Sequence, residues 1–390
     1  MIFYLETRVH PATFAPMRIV INTYGTIKNT SRDYRNFVSE SFRRIVKDHP
    51  EHEFIFISYK YFNQEVIEAE NMIRVLSDSP GNNPIAWKWW YDVKIPALLK
   101  KHNADLFVSC DGCCSLTTKV PQCLLVNDLS FLSFPEFVKK SHLLFYKRYV
   151  PRFLQKVKSI VVVSESIKNE LVKNYGTTLE KVTRVNSAPA EIFKAISDTE
   201  KILTKEKLTE GKEYFFYSGP IRPDKNLINL LKAFSIFKKT QQSSMKLVLA
   251  GDIMKDYKSF SENLKTYKYR NDIVMLPEVS EIELVKLIGA AYALINPSFY
   301  DGFGISAIEA MQAEIPVLTS VNTATKEIAG DAALYLNPSI FSDIAAQMMT
   351  LYKDEELRSK LIEKGKLISE KQSWDKTAKL LWQSIEKSLE

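Results

Sequence analysis

The 390-residue sequence contains no run of the roughly 18 to 20 apolar residues that a membrane-spanning helix requires. Its opening, MIFYLETRVHPATFAPMRIVINTYG, is interrupted by Glu6, Arg8 and Pro11, so it lacks the unbroken apolar segment of a secretory signal. Strand-like sequence begins at Arg18, and residues 1–16 read as an extension, with Met17 as the alternative start. Cysteine is scarce: the four, Cys110, Cys113, Cys114 and Cys123, fall in one short stretch. Cys113 and Cys114 are adjacent, and neighbouring side chains seldom converge on one ion, so reduced thiols in a cytoplasmic protein are expected and a bound metal is not. The formal net charge of +7 favours anionic partners such as nucleotides, phosphates or acidic lipid surfaces. No nucleic-acid-binding motif accompanies it, so nucleic acid is not an expected partner.

What is present is an ordinary globular composition, 45% hydrophobic and 25% charged, on a chain too long for one core. Short β-branched and aromatic runs alternate with amphipathic ones. IVINTY, FIFISY, DLFVSC, CLLVND, SIVVVS and VTRVNS come first; EYFFYSG, KLVLAG, IVMLP, AYALINPS, IPVLTS and AALYLNP follow. Most are continuously apolar, as parallel strands covered on both faces are. Between them lie helical periods. In NLINLLKAFSIFKK, for instance, Leu227, Leu230, Leu231, Phe234 and Phe237 share one face. The fold class is therefore α/β: two doubly wound, Rossmann-like domains in tandem, facing a cleft. A polar stretch from Ser197 to Lys212 is the linker candidate. The expected division is 1–196, 197–373 and a last helix, 374–390, that crosses back to the first domain.

Ligands of such sheets bind beyond the carboxyl ends of the strands. Two loops of the second half lie there. In AYALINPSFYDGFGISAIEAM a strand ends near Pro297 and a helix starts around Gly304. Gly302 and Gly304 permit close backbone approach, and the first helical amides suit a phosphate. Asp301 and Glu309 are candidates for sugar hydroxyls, which carboxylates accept well. The plainer reading makes Asp301 a helix cap and Glu309 part of a solvated face. In EYFFYSGPIRPDKNLINLLKAF a strand ends at Gly219 and a helix starts near Asn226, with Arg222 and Lys225 in the turn. Two cations beside a helix N-terminus fit a diphosphate; a turn with ordinary surface charges is the alternative.

These segments resemble the retaining glycosyltransferases of family 4, the group 1 glycosyl transferases with the GT-B fold. The likeness rests on "YSGPIRPDKN", "LVLAG", "DGFGISAIEA" and the trailing "SWDKTAKLLWQSIE". It implies that Lys225, with Arg222, holds a donor diphosphate and that Glu309 binds the ribose. Asp301 would touch the transferred sugar. Gly219, Gly302 and the amides of Phe303, Gly304 and Ile305 would border sugar and phosphate, with Val279 beside the base. "SCDG", "VND" and "VSES" place Asp111, Asn127, Asp128, Ser164 and Glu165 on the acceptor side, and Asp128 joins Lys225, Arg222 and Asp301 as a catalytic candidate. The implied reaction is metal-independent front-face transfer from a UDP- or GDP-sugar to a saccharide or lipid-linked acceptor in polysaccharide biosynthesis. No cofactor is needed.

The sequence departs from the family at the site. Asp301 stands where Glu is usual, and Pro220 and Asp224 occupy the positions of the usual arginine. Asn127–Asp128 replaces His-Asp, and Asn186–Ser187 replaces Asn-Gly. "TIKNTSRDYRNF" has no glycine where two are expected, and Asp33 and Arg35 lie in that region. The alternative is a catalytically silent GT-B partner subunit, or a nucleotide-sugar epimerase or sugar phosphorylase on the same fold. Two further segments carry expectations. From Phe137 to Lys158 the chain has seven Lys and Arg, interleaved aromatics and no acid. It offers peripheral contact with an anionic membrane; the plainer reading is a basic helix pair, interrupted at Pro151, that turns its aromatics inward. Trp87, Trp90 and Tyr91 recur at helical spacing and read as core rather than as a sugar platform.

Overall fold

Most of the continuous apolar runs become strands that are buried on both faces. The structure, a computed structural model, describes residues 15–23, 32–58, 69–78, 81, 83–254, 257–321 and 324–390. The first sheet comprises β1 (Arg18–Asn22), β2 (Glu53–Ser58), β3 (Met72–Leu76), β4 (Leu106–Ser109), β5 (Gln122–Val126), β6 (Ser159–Val162) and β7 (Val182–Arg184). Its order is β3-β2-β1-β4-β5-β6-β7. The second comprises β8 (Tyr214–Ser218), β9 (Lys246–Ala250), β10 (Ile273–Leu276), β11 (Ala293–Asn296), β12 (Val317–Ser320) and β13 (Ala333–Leu336), in the order β10-β9-β8-β11-β12-β13. All strand pairs are parallel; Ile19 is in register with Leu106, and Ala293 with Phe215. The strand order reverses between β1 and β4 and between β8 and β11, which opens a ligand crevice at each pair's carboxyl ends.

Three features differ from the sequence-based expectation. β3 has no counterpart among the anticipated strands: it is a half-exposed edge strand carrying Arg74, so it lacks the apolar run. The polar stretch after Ser197 is the helix Asp198–Thr209, closed by a Ser197/Glu200 capping box. Pro151 does not interrupt its segment. One helix runs through it, Lys140–Lys156, although Pro151 has no N–H to donate to Lys147. Buried Phe145, Val150, Phe153 and Leu154 hold that helix on the first domain, while Leu144 stays exposed.

The last helix, Trp374–Lys387, returns to the first domain. Trp374, Ala378, Leu381 and Ile385 are buried in the core around β1, β4 and β6. Trp374 meets Phe37 edge-on at 6.2 Å, and Ser159 Oγ donates to the Ser384 carbonyl at 2.7 Å. The chain thus crosses between the sheets twice, which ties their relative position to apolar burial rather than to a single linker. Leu381→Ala is expected to lower unfolding free energy by about 2–5 kcal/mol, the usual cost of emptying a fully buried leucine site. Urea denaturation followed by tryptophan fluorescence measures it, and an unchanged midpoint would show that the returning helix is dispensable.

Candidate active site

The two loops singled out in the second half are tied to each other. Asn226 takes a left-handed conformation, φ 60°, and its amide group donates to the Pro297 and Pro338 carbonyls at 3.0 and 2.7 Å. The Phe299 amide donates to the Asp224 carbonyl at 2.9 Å. Lys225 is thereby held beside the 300–304 turn, its ammonium 3.4 Å from the Tyr300 carbonyl. Arg222 does not stand free next to it: its Nε lies 2.8 and 3.0 Å from the two Asp224 oxygens. Burial works against the Arg222 charge, but Asp224 and, across the cleft, Asp128 outweigh it and raise its pKa.

Asp301 combines both readings of its position. It lines the cleft, yet its carboxylate is engaged by its own turn. Asn296, at the end of β11, donates to one oxygen at 2.7 Å, and the amides of Phe303 and Gly304 each approach the other at 3.3 Å. Two of the three amides expected to face sugar and phosphate are therefore turned toward Asp301. Gly304 caps the helix Ile305–Gln312 with φ 64°, where an added Cβ would press on Thr325. Gly302 has a different reason to be glycine: a Cβ there would lie 2.6 Å from the Asn127 carbonyl of the first domain. Its close approach is thus to the opposite domain rather than to a ligand. Gly219 lies outside the cleft lining; its backbone lies so close to Gly251 that a Cβ on Gly251 would overlap the Gly219 carbonyl.

Glu309 is the site's most deeply placed charge, with no exposed surface, which removes the solvated-face reading. Its carboxylate is paired with the Arg32 guanidinium from the first domain. Nearby, Arg35 bonds Glu278 at 2.7 Å and Asn36 bonds Glu281 at 2.9 Å, so the Arg32–Asp48 helix closes over the segment that contains Val279. The glycine-poor loop preceding that helix, 24–31, lies outside the described residues.

Between the domains is a cavity of about 870 Å³, within the range of small-molecule sites. Its second-domain wall carries Arg222, Lys225, Asp301, Gly302 and Phe303; its first-domain wall carries Asp111, Asn127 and Asp128. Asp111 sits at the reversal between β1 and β4. It accepts bonds from Tyr91, from Asn22 at 3.2 Å and from Ser109 at 3.1 Å. Burial pushes its carboxyl above the usual carboxylate range, against the opposing effect of the Tyr91 and Ser109 bonds. Asn127 donates to the Cys110 carbonyl at 3.1 Å, and Asp128 accepts the Ser130 amide at 2.6 Å.

Ser164 and Glu165 are not on the cavity. Ser164 caps the helix Glu165–Tyr175, and the amides of Glu165 and Ser166 grip the Glu327 carboxylate of the second domain at 2.7 and 2.6 Å. Their place is a polar seam between domains. Val279, Gly304, Ile305 and Glu309 also lie off the cavity lining. The sequence reading did not single out Tyr300 or Arg32. Tyr91 is buried in the first domain's core and Trp87 packs against it, as their spacing predicts, and both also line the cavity. The four cysteines are buried free thiols.

Comparison with known proteins follows this division. Residues 198–368 match the family described as Glycosyl transferases group 1, and residues 48–187 match Glycosyltransferase Family 4. The chain is 25% identical over 256 residues to O-antigen chain mannosyltransferase B of Escherichia coli, a match covering 64% of this chain and 66% of that protein. It is 26% identical over 281 residues to O-antigen chain mannosyltransferase RfbU of Salmonella typhimurium, covering 70% and 72%. Among solved structures, WaaG, a glycosyltransferase involved in lipopolysaccharide biosynthesis, superposes with a TM-score of 0.74 at 15% identity, covering 94% of this chain and 99% of that one. Anabaena HepE in complex with UDP and glucose gives 0.74 at 13% identity, covering 95% and 99%.

The raised Asp111 pKa has a measurable consequence. The native state keeps this proton to higher pH than the unfolded chain, so the carboxyl lowers stability as pH rises from about 4 through its native pKa. Asp111→Asn removes that contribution. Between pH 4 and 7 the melting temperature of the wild type should fall relative to that of D111N; parallel curves would contradict a buried, proton-retaining Asp111.

Proposed function

We propose, for a chain that belongs to the glycosyl transferases group 1 family with the GT-B fold, that it moves a sugar from a nucleoside diphosphate sugar to a saccharide or lipid-linked acceptor in polysaccharide assembly. The observation that carries the reading is the interdomain cavity, with cations and Asp301 on one wall and Asp111, Asn127 and Asp128 on the other. A donor lies along the second domain. Lys225 and the N-terminal amides of the Ile305–Gln312 helix meet its diphosphate. Glu309 accepts the ribose hydroxyls, and Asp301 contacts the sugar. The acceptor enters against Asp111, Asn127 and Asp128.

Transfer proceeds with retention. The bond from the anomeric carbon to the diphosphate oxygen breaks, the acceptor hydroxyl oxygen bonds to the same face, and its proton passes to the departing phosphate oxygen. The protein contributes placement and charge rather than a nucleophile. Positive charge from Lys225, Arg222 and the helix terminus meets the leaving group without a metal ion. The names of the relatives make mannose the first sugar to test; the UDP held by HepE keeps both uridine and guanosine donors in the test. The basic Lys140–Lys156 helix, whose His142 and Tyr146 reach the cavity, suits an acceptor carried on an anionic membrane. No helix among the described residues is long and apolar enough to cross one.

Calorimetric titration with UDP and with GDP tests the donor site. One of them should bind at micromolar levels, and Glu309→Ala should weaken it about tenfold or more, since hydrogen bonds to a charged group contribute about 1.5–3 kcal/mol. Folded protein that binds neither would overturn the transferase reading in favour of a catalytically silent partner.

A further inference from the structure

We infer that Arg32 is the first domain's contribution to the donor diphosphate site, released to it from Glu309 by donor binding; the inference rests on the donor reading above. Arg32 is the first residue of the Arg32–Asp48 helix, and its side chain is 16% exposed. Among the described residues, the groups seen around its guanidinium include ones from the second half of the chain and the approach to it. It pairs with Glu309, lies 4.0 Å from Glu281 and stands over the Phe193 ring at 5.3 Å. A cation thus crosses the cleft to reach the carboxylate assigned to the ribose.

The ribose hydroxyls and Arg32 compete for the same buried carboxylate. Glu309 lies four residues beyond Ile305, so it sits about 6 Å along the helix from the amides at its start. Donor entry gives Glu309 new hydrogen-bond donors and frees the guanidinium to turn toward the diphosphate. Charge balance demands a partner there. Glu278, Glu281 and Glu309 all face this edge, and Asp224 already claims Arg222. With Arg222 shared with Asp224, Lys225 and the helix terminus leave part of the diphosphate charge without a full cationic partner. The planar guanidinium fork matches two phosphate oxygens, which lysine cannot do. In this chain an arginine side chain thereby does what closely approaching glycine amides would do in a Gly-rich loop.

The test compares nucleoside diphosphates with nucleosides. UDP, GDP, uridine and guanosine are titrated into wild type, Arg32→Gln and Arg32→Lys, with folding checked by thermal melting. R32Q is expected to lose at least tenfold in affinity for the diphosphate that the wild type binds, while affinity for the matching nucleoside stays within threefold or improves; R32K recovers part of the loss. Equal weakening of both ligands by R32Q and R32K would reduce Arg32 to a strut between domains. Tighter binding of both would make it a competitor only. Unchanged diphosphate binding would remove it from the site. Each of these three results overturns the inference while leaving the donor site standing. Wild type that binds none of the four ligands overturns the donor reading itself.

Discussion

The arrangement of the site depends on one aromatic side chain crossing between domains. Phe303, 7% exposed, belongs to the second domain's turn but is buried in the first domain's core, 6.2 Å from the Tyr34 ring and 5.8 Å from that of Phe37. Ile305 follows it into the same cluster. Burying a side chain of this size contributes about 1.5–3 kcal/mol, and it fixes everything on either side. Asp301 and Gly302 are drawn to the cavity wall, the Ile305–Gln312 helix is aimed along the cleft, and Glu309 is brought under Arg32. Gly302 is the steric price of that seat, because only glycine lets the turn lie against the Asn127 carbonyl.

Electrostatics follows from the same closure. Each charged group expected to meet a substrate is engaged within the protein: Arg222 with Asp224, Glu309 with Arg32, and Asp301 with its own turn. Pairing is what allows charges to be buried at all. On the proposed donor reading, these internal partners are what a ligand replaces: hydroxyls for Arg32 on Glu309, and a phosphate for the carbonyl at Lys225.

The fold was legible in the sequence because parallel strands covered on both faces leave continuous apolar runs, and these mark most of the strands; the weaker VTRVNS still marked β7, and only β3 among the described strands had no signal. That strand is at an edge, half exposed and interrupted by Arg74, so no apolar signal reached it. The site was legible where glycine, lysine and paired carboxylates cluster at strand ends, and Lys225, Asp301 and Asp128 do meet at one cavity. What could not be read was which groups a folded chain brings together from afar. Arg32 and Glu309 are 277 residues apart, and Arg32 lay within a segment remarkable only for its missing glycines. Tyr91 carries a helical core signature and also bonds Asp111 at the cavity wall; periodicity records only the first. Ser164 and Glu165 illustrate the converse, since a strand-end position served the seam with Glu327 instead of the cavity.

The central claim is that the second-domain wall, closed by Phe303, binds a nucleoside diphosphate with its ribose on Glu309. A crystal structure with bound UDP or GDP tests it most directly. The expected density places the diphosphate between Lys225 and the start of the Ile305–Gln312 helix, the ribose hydroxyls on the Glu309 carboxylate, and the Arg32 guanidinium detached from it. A nucleotide bound elsewhere, with the Arg32–Glu309 pair intact, would contradict the account.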